Sequence, residues 1–231
     1  MDLEKARLLK RQLYDDSFYH FSKYCLGGGF SQFVPRVQGA ICQALQEPTT
    51  RKLVCVPRGT LKSTIASVAY PIWRITKNPN IRILLDSELY SNSKNFLREI
   101  KGHIQGNQEF INCYGDLVGP LWNEGEIIVK GRTRSLKEPT IACSGIGAGK
   151  TSQHYDLIIA DDLSSYQNTM NPDVAKKTLD HYKLYQSLLD PGGTIVIIGT
   201  RYSEIDIIGF VIENELGIPH GDLKVFKQVY G

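Results

Sequence analysis

Two short stretches of this sequence combine glycine, lysine and a hydroxyl residue in an order that suits a bound phosphate. One is Pro57-Arg58-Gly59-Thr60-Leu61-Lys62-Ser63-Thr64, and the other is Ser144-Gly145-Ile146-Gly147-Ala148-Gly149-Lys150-Thr151. In such a loop backbone N–H groups converge on phosphate oxygens, the lysine adds a positive charge, and the hydroxyl can reach Mg²⁺. The second stretch is closer to the pattern G-x-x-x-x-G-K-[ST], departing only at Ser144. The first has Leu61 where the pattern places the glycine before lysine. Structural setting decides between them, because the loop needs a strand that delivers it and a helix that begins at the lysine. Residues 52–56 supply an apolar strand and residues 63–69 an amphipathic helix start, whereas Ser152-Gln153-His154-Tyr155 leave no room for a helix after Lys150. The first loop is therefore the expected nucleotide site and the second a glycine-rich connection. An ordinary strand–turn–helix with a surface lysine is the alternative reading of the first.

The companion chemistry comes later in the chain. Tyr155-Asp156-Leu157-Ile158-Ile159-Ala160-Asp161-Asp162 is an apolar run that ends in acid. A buried parallel strand would carry Asp161 to the carboxyl edge of a sheet, beside the phosphate loop. There Asp161 and the Ser63 hydroxyl could hold Mg²⁺, and Asp162 could orient or deprotonate an attacking water. A pair of aspartates in a turn or capping a helix is the alternative. The next apolar run ends Ile198-Gly199-Thr200-Arg201, where Thr200 is placed to report hydrolysis or is a satisfied strand-end threonine.

The elements that must position these groups alternate along the chain. Residues 1–50 read as a helical lead-in: Leu3, Ala6, Leu9 and Leu13 share one face, and Asp15 or Asp16 ends or restarts a helix. Gly27-Gly28-Gly29 must turn, and Pro35 suits the first position of a helix to about residue 46. From residue 51 to 231 apolar runs at 52–56, 81–85, 157–160 and 194–198 alternate with helical stretches at 63–75, 92–104, 172–189 and 204–213. Residues 126–130 and 140–143 read as short strands of a hairpin layer. Uniformly apolar strands separated by helices predict an α/β domain with a mainly parallel central sheet flanked by helices.

Composition sets the bounds. The chain has 231 residues, 42% of them hydrophobic, which is enough for one large domain. The net charge of +3 permits a nucleic-acid partner without requiring one. No run approaches the roughly 20 apolar residues of a membrane span, no secretory leader is expected, and five scattered cysteines read as reduced thiols.

Taken together, the residues resemble the ATPase domain of a large terminase, the DNA-packaging motor of tailed bacteriophages. The resemblance rests on residues 56–64 as that family's variant phosphate loop, with arginine before the glycine. It also rests on residues 156–162 as its acidic strand, residues 199–206 as its coupling motif around Thr200, and Pro35-Arg36-Val37-Gln38 at its adenine-side position. The resemblance implies a P-loop NTPase of the RecA-like (ASCE) kind that binds ATP and Mg²⁺, with Gln38 and Arg36 on the base side and Arg58 sensing the γ-phosphate. A solvated helix face is the alternative for Arg36 and Gln38. It further implies double-stranded DNA, the phage portal and the small terminase subunit as partners. A homo-oligomeric ring, monomeric in isolation, would act in the cytoplasm of the infected host and transiently at the procapsid portal.

The family often carries an arginine in the glycine-rich stretch that reaches a neighbour's nucleotide; here Lys150 stands nearest, with Arg132 and Arg134 as other candidates. Glutamate is usual where this chain has Asp162. The family's nuclease domain is absent from these 231 residues, so no nuclease activity is expected. Lys94, Arg98 and Lys101 share a helical face that would contact DNA phosphates or simply be solvated. Another DNA motor or helicase-like ATPase, or an assembly module that binds nucleotide with little hydrolysis, are the competing functions.

Overall fold

A computed structural model describes residues 3–148, 152–202, 206–215 and 223–227. Its centre is an eight-stranded sheet in the order β3-β4-β5-β2-β6-β7-β1-β8. The strands are β1 (Arg51–Cys55), β2 (Ile83–Ser87), β3 (Val118–Trp122), β4 (Glu126–Val129), β5 (Ile141–Gly145), β6 (Tyr155–Asp161), β7 (Leu189–Gly199) and β8 (Leu223–Lys227). Every pairing from β5 to β8 is parallel, and β3 and β4 add an antiparallel margin. Residues 126–130 and 140–143 are therefore not a separate hairpin layer. β4 pairs with β5 inside the main sheet, and its own hairpin partner is β3.

Side-chain alternation explains why the strands read as continuous apolar runs. Val54, Ile83, Leu85, Leu157, Ile159, Val196 and Ile198 point to one face and Leu53, Leu84, Ile158, Ile195 and Ile197 to the other, and all are buried. Both faces are covered, as parallel sheets require. On the first face lie α1 (Leu3–Asp16), α2 (Phe18–His20 continuing as Phe21–Leu26), α3 (Pro35–Gly39 continuing as Ala40–Gln46), α4 (Thr64–Ala69 continuing as Tyr70–Lys77), α5 (Tyr90–Gly106) and α6 (Gln108–Tyr114). On the second face lie α8 (Pro172–Leu188) and α9 (Ile207–Glu215), after the short α7 (Tyr166–Thr169).

Local chemistry sets several boundaries. The Ser17 hydroxyl accepts the His20 N–H at 3.3 Å and starts α2 where α1 stops. In α4, Pro71 has no N–H to offer, and the Tyr70 N–H bonds back to the Ile65 carbonyl, so that turn is wound wider than an α-helix. The leucine stripe of α1 does not face the core: Leu3, Leu9 and Leu13 are exposed and Tyr14 is the buried contact. The reason is the docking of α1 on α6, where Lys10 and Tyr14 both bond Glu109. The five cysteines are free, four of them buried, and burial pushes the Cys42 thiol up to about 12. Among the described residues no helix is long and apolar enough to cross a membrane.

Candidate active site

β7 separates β1 from β6, with Cys55 level with Gly199 and Asp161 level with Ile198. The carboxyl ends of these three strands therefore open onto one crevice, where ligands of open α/β sheets bind. β1 delivers the loop that follows Cys55. Gly59 turns with φ +83° and Leu61 with φ +61°. Leu61 thus takes the left-handed backbone that glycine adopts readily, at a cost of roughly 1–2 kcal/mol for an L-residue. The loop is closed by the Thr60 hydroxyl donating to the Pro57 carbonyl at 2.9 Å, and the helix begins as the Ile65 N–H reaches the Leu61 carbonyl at 3.0 Å. Pro57 is half-buried, Gly59 exposed, Thr60 buried, and Thr64 half-buried in the first turn. Lys62 is 7% exposed, so its charge is set at the loop rather than in open solvent.

The loop after β1 and the acidic end of β6 touch directly. The Ser63 Oγ donates to Asp161 Oδ1 at 3.0 Å, and one turn later the Ser67 Oγ donates to Asp161 Oδ2 at 2.5 Å. Burial, joined by the charge of Asp162, pushes Asp161 up to about 7 against the hydrogen bonds from Ser67 and Ser63 and the charge of Lys62. Asp162 itself turns with φ +45° while its N–H donates to the Ile198 carbonyl at 2.9 Å. Among the described residues, its Oδ1 and the Oγ1 of Thr200 are buried with no hydrogen-bond partner. Gly199 permits this crowding, since a Cβ there would lie 2.9 Å from Ile208 and 3.4 Å from Asp162 Oδ1. Strained backbone and unsatisfied buried oxygens concentrated at one crevice are features of a binding or catalytic site.

Ser63 and Asp161 supply the hard oxygen donors that Mg²⁺ prefers, already side by side, so the donor set fits that ion.

The remaining candidates fall in different places. Gln38 is buried at the start of α3; its Oε1 accepts the Val34 N–H at 2.9 Å, and its Nε2 donates to the Thr60 carbonyl at 3.3 Å. It braces the phosphate loop from the lead-in. Arg36 is exposed and, with Tyr19, Pro35 and Gln43, lines an open groove of about 610 Å³ to which no phosphate-loop residue contributes. Arg58 is exposed, and its guanidinium donates to the Tyr202 hydroxyl at 2.7 Å. Lys150 lies outside the described residues, as do residues 203–205 of the coupling motif. The described flank of the second loop, 152–154, leads into β6 without a helix.

Arg132 and Arg134 follow β4 at the opposite edge of the sheet, where β2 and β6 begin. The Arg134 N–H bonds Asn80 there at 2.8 Å, and the Arg132 guanidinium nitrogens are buried without a partner, with burial and the charge of Arg82 lowering its pKa. They are remote from the crevice at the carboxyl ends of β1, β6 and β7 in their own chain. On α5, Lys94 pairs with Glu124 at 3.2 Å, and Lys101 donates to the Asn123 carbonyl at 3.2 Å above the Trp122 ring. These lysines hold the turn between β3 and β4, and Arg98 bonds Asn95 of its own helix.

Ser67 was missed by sequence reasoning. The usable signal was its four-residue spacing from Ser63, which places both hydroxyls on one face of α4.

No protein-family model matches the chain, and no curated protein matches its sequence. The structure is similar to the large terminase ATPase domain of Thermus phage P74-26, with a TM-score of 0.52 and 15% sequence identity. The match covers 82% of this chain and 79% of that one. The chain shares the fold of that ATPase domain.

Proposed function

We propose that this chain is a Mg²⁺-dependent ATPase, the motor domain that drives double-stranded DNA into a phage procapsid. The observation that carries the reading is the Ser63–Asp161 hydrogen bond, which joins a glycine–lysine loop to the acid end of a buried strand. In this reading backbone N–H groups from Gly59 to Ser63 and the Lys62 ammonium surround the β- and γ-phosphates, with Pro57, Thr60, Leu61 and Thr64 shaping the loop. Ser63 and Asp161 would hold Mg²⁺, which when bound neutralises phosphate charge. Asp162 accepts a proton from, or orients, the attacking water, and its unsatisfied Oδ1 is free to do so. Thr200, with its unpartnered hydroxyl one strand away, senses the γ-phosphate. Gln38 acts by holding Thr60, and the base lies towards the Gln38 and Arg36 side of the loop.

Phosphoryl transfer depends on charge supplied around the γ-phosphate, and an arginine from a neighbouring subunit contributes about 10³–10⁵-fold. Arg132 and Arg134 stand at the far edge of the sheet, so either serves a neighbour's site, as would Lys150. An isolated chain is therefore a slow ATPase, and an assembled ring on the portal, in the infected host's cytoplasm, a fast one. The position of those arginines also supports a second reading, a nucleotide-binding assembly module with little turnover.

Phosphate release measured over a range of protein concentrations, with and without duplex DNA, tests the proposal. A turnover number that rises with concentration and DNA supports the motor. Tight Mg²⁺-ATP binding with no turnover under any condition supports the assembly module and rules the motor out.

A further inference from the structure

The contact between Arg58 and Tyr202 joins two parts of the crevice that the roles above treat separately. Arg58 belongs to the phosphate loop, and Tyr202 stands two residues beyond Thr200 on the segment leaving β7. The Arg58 Nη2 donates to the Tyr202 hydroxyl at 2.7 Å, and the guanidinium carbon lies 5.8 Å from the centre of the Tyr202 ring. The other side of Tyr202 is anchored. Its N–H donates to Asp206 Oδ2 at 2.6 Å, and buried Asp206 also accepts the Gly209 N–H at 2.7 Å in the first turn of α9. The ring edge meets Tyr166 of α7, centroids 6.3 Å apart. The backbone at residue 202 is thus fixed, and the free end of its side chain occupies the phosphate-loop arginine.

A guanidinium on a phenol hydroxyl makes a weaker bond than a guanidinium on a phosphate, because a charged acceptor roughly doubles the strength of the hydrogen bond. ATP offers such an acceptor at its γ-phosphate and ADP does not. Resting on the nucleotide-site reading above, we infer that Tyr202 is a latch that holds Arg58 in the nucleotide-free and ADP-bound chain and yields it to the γ-phosphate of ATP. The exchange makes the segment after Thr200 sensitive to which nucleotide is present: with ATP bound, Tyr202 loses Arg58 and keeps its Asp206 and Tyr166 contacts. Tyr202 is a positioning residue for Arg58 and touches no reacting atom.

The latch opposes ATP and leaves ADP unaffected, so removing it changes the ratio of the two affinities. The test is equilibrium binding of ADP and of a non-hydrolysable ATP analogue to the full chain. Tyr202→Phe, which keeps the ring and loses the hydroxyl, is expected to bind the ATP analogue about twofold tighter, and Tyr202→Ala about two- to fivefold tighter, with ADP affinity unchanged. In an Arg58→Ala background the same Tyr202 changes are expected to have no effect on the ratio, which closes the cycle on this pair. Equal shifts for both nucleotides, or no shift in either Tyr202 variant while Lys62→Ala loses both nucleotides, overturns the latch and leaves the nucleotide site standing. Failure of the wild-type chain to bind either nucleotide overturns both.

Discussion

The two edges of the sheet treat buried polar groups in opposite ways. Where β2, β6 and β7 begin, Arg82 donates to Asp156 from Nε at 3.0 Å and Nη2 at 2.8 Å, and the same Nη2 also reaches Asp190. The Asp156 hydrogen bond, working against burial, raises the Arg82 pKa above its ordinary value. Lys52 at the start of β1 is likewise saturated by the Ala44 and Glu47 carbonyls and the Thr49 hydroxyl. Where β1, β6 and β7 end, Leu61 and Asp162 hold positive φ, and the Asp162 and Thr200 oxygens are buried without partners. Arg82 and Lys52 at one edge are saturated with partners, and the other edge concentrates backbone strain and unpartnered buried oxygens. Arg132 departs from that pattern: among the described residues its guanidinium is buried and unpartnered at the edge where Arg82 and Lys52 are saturated.

Substitutions at the two edges should therefore separate function from stability. The largest effect is expected from Asp162→Asn, which should lower turnover about 10²–10⁴-fold with Mg²⁺-ATP binding retained, read from phosphate release and equilibrium binding. Full turnover in that variant would remove Asp162 from its role. At the other edge, Arg82→Met removes the guanidinium facing Asp156, Asp190 and Glu138. The expected loss is about 2–3 kcal/mol in urea unfolding, below the value for a fully buried pair because each aspartate side chain keeps 36% exposure. Nucleotide affinity of the folded protein should not change; if it falls with stability, the two edges are not separable.

Asp161→Asn should move the other way. Asp161 has its pKa raised in the fold, from near 3.8 to about 7, so the fold favours the neutral acid. Its contribution is full below the unfolded value and is lost as pH rises through 4 to 7. The asparagine variant should escape that loss and melt higher at pH 8 than the wild type, by roughly 1–3 kcal/mol, while near pH 4 the two converge. Parallel pH profiles would refute the buried-acid account. The smallest effect belongs to Leu61→Gly: relief of left-handed strain and the greater unfolded-state freedom of glycine oppose each other at about 1 kcal/mol each. The melting temperature should hardly move, and a large drop would mean the Leu61 side chain packs in the loop.

Much of the positioning frame was legible because it is buried on two faces. The runs at 52–56, 81–85, 157–160 and 194–198 became β1, β2, β6 and β7 because a parallel strand covered on both sides needs apolar residues at every position. The Ser63–Asp161 pairing was legible for the same reason: strand and loop leave few places for either residue. β3 was not, since Gly119 and Pro120 interrupt an edge strand that is only partly buried. The hairpin layer went astray because periodicity identifies an element without naming its neighbour. Ser67 was legible only through its four-residue spacing from Ser63, and Tyr202, inside the 199–206 stretch, gave no sign of its bond to Arg58, because a loop tyrosine acquires its partner only in the fold.

The central claim is that the crevice at Gly59–Thr64, and not the glycine-rich stretch before β6, is the nucleotide site. Mg²⁺-ATP binding by Lys62→Ala and Lys150→Ala, measured side by side with the wild type by calorimetry, tests it most directly. The account predicts that Lys62→Ala loses binding and that Lys150→Ala still binds, losing at most the concentration-dependent part of turnover. Binding abolished in Lys150→Ala and intact in Lys62→Ala would contradict it, and the assignment of Asp161, Asp162 and Thr200 would fall with it.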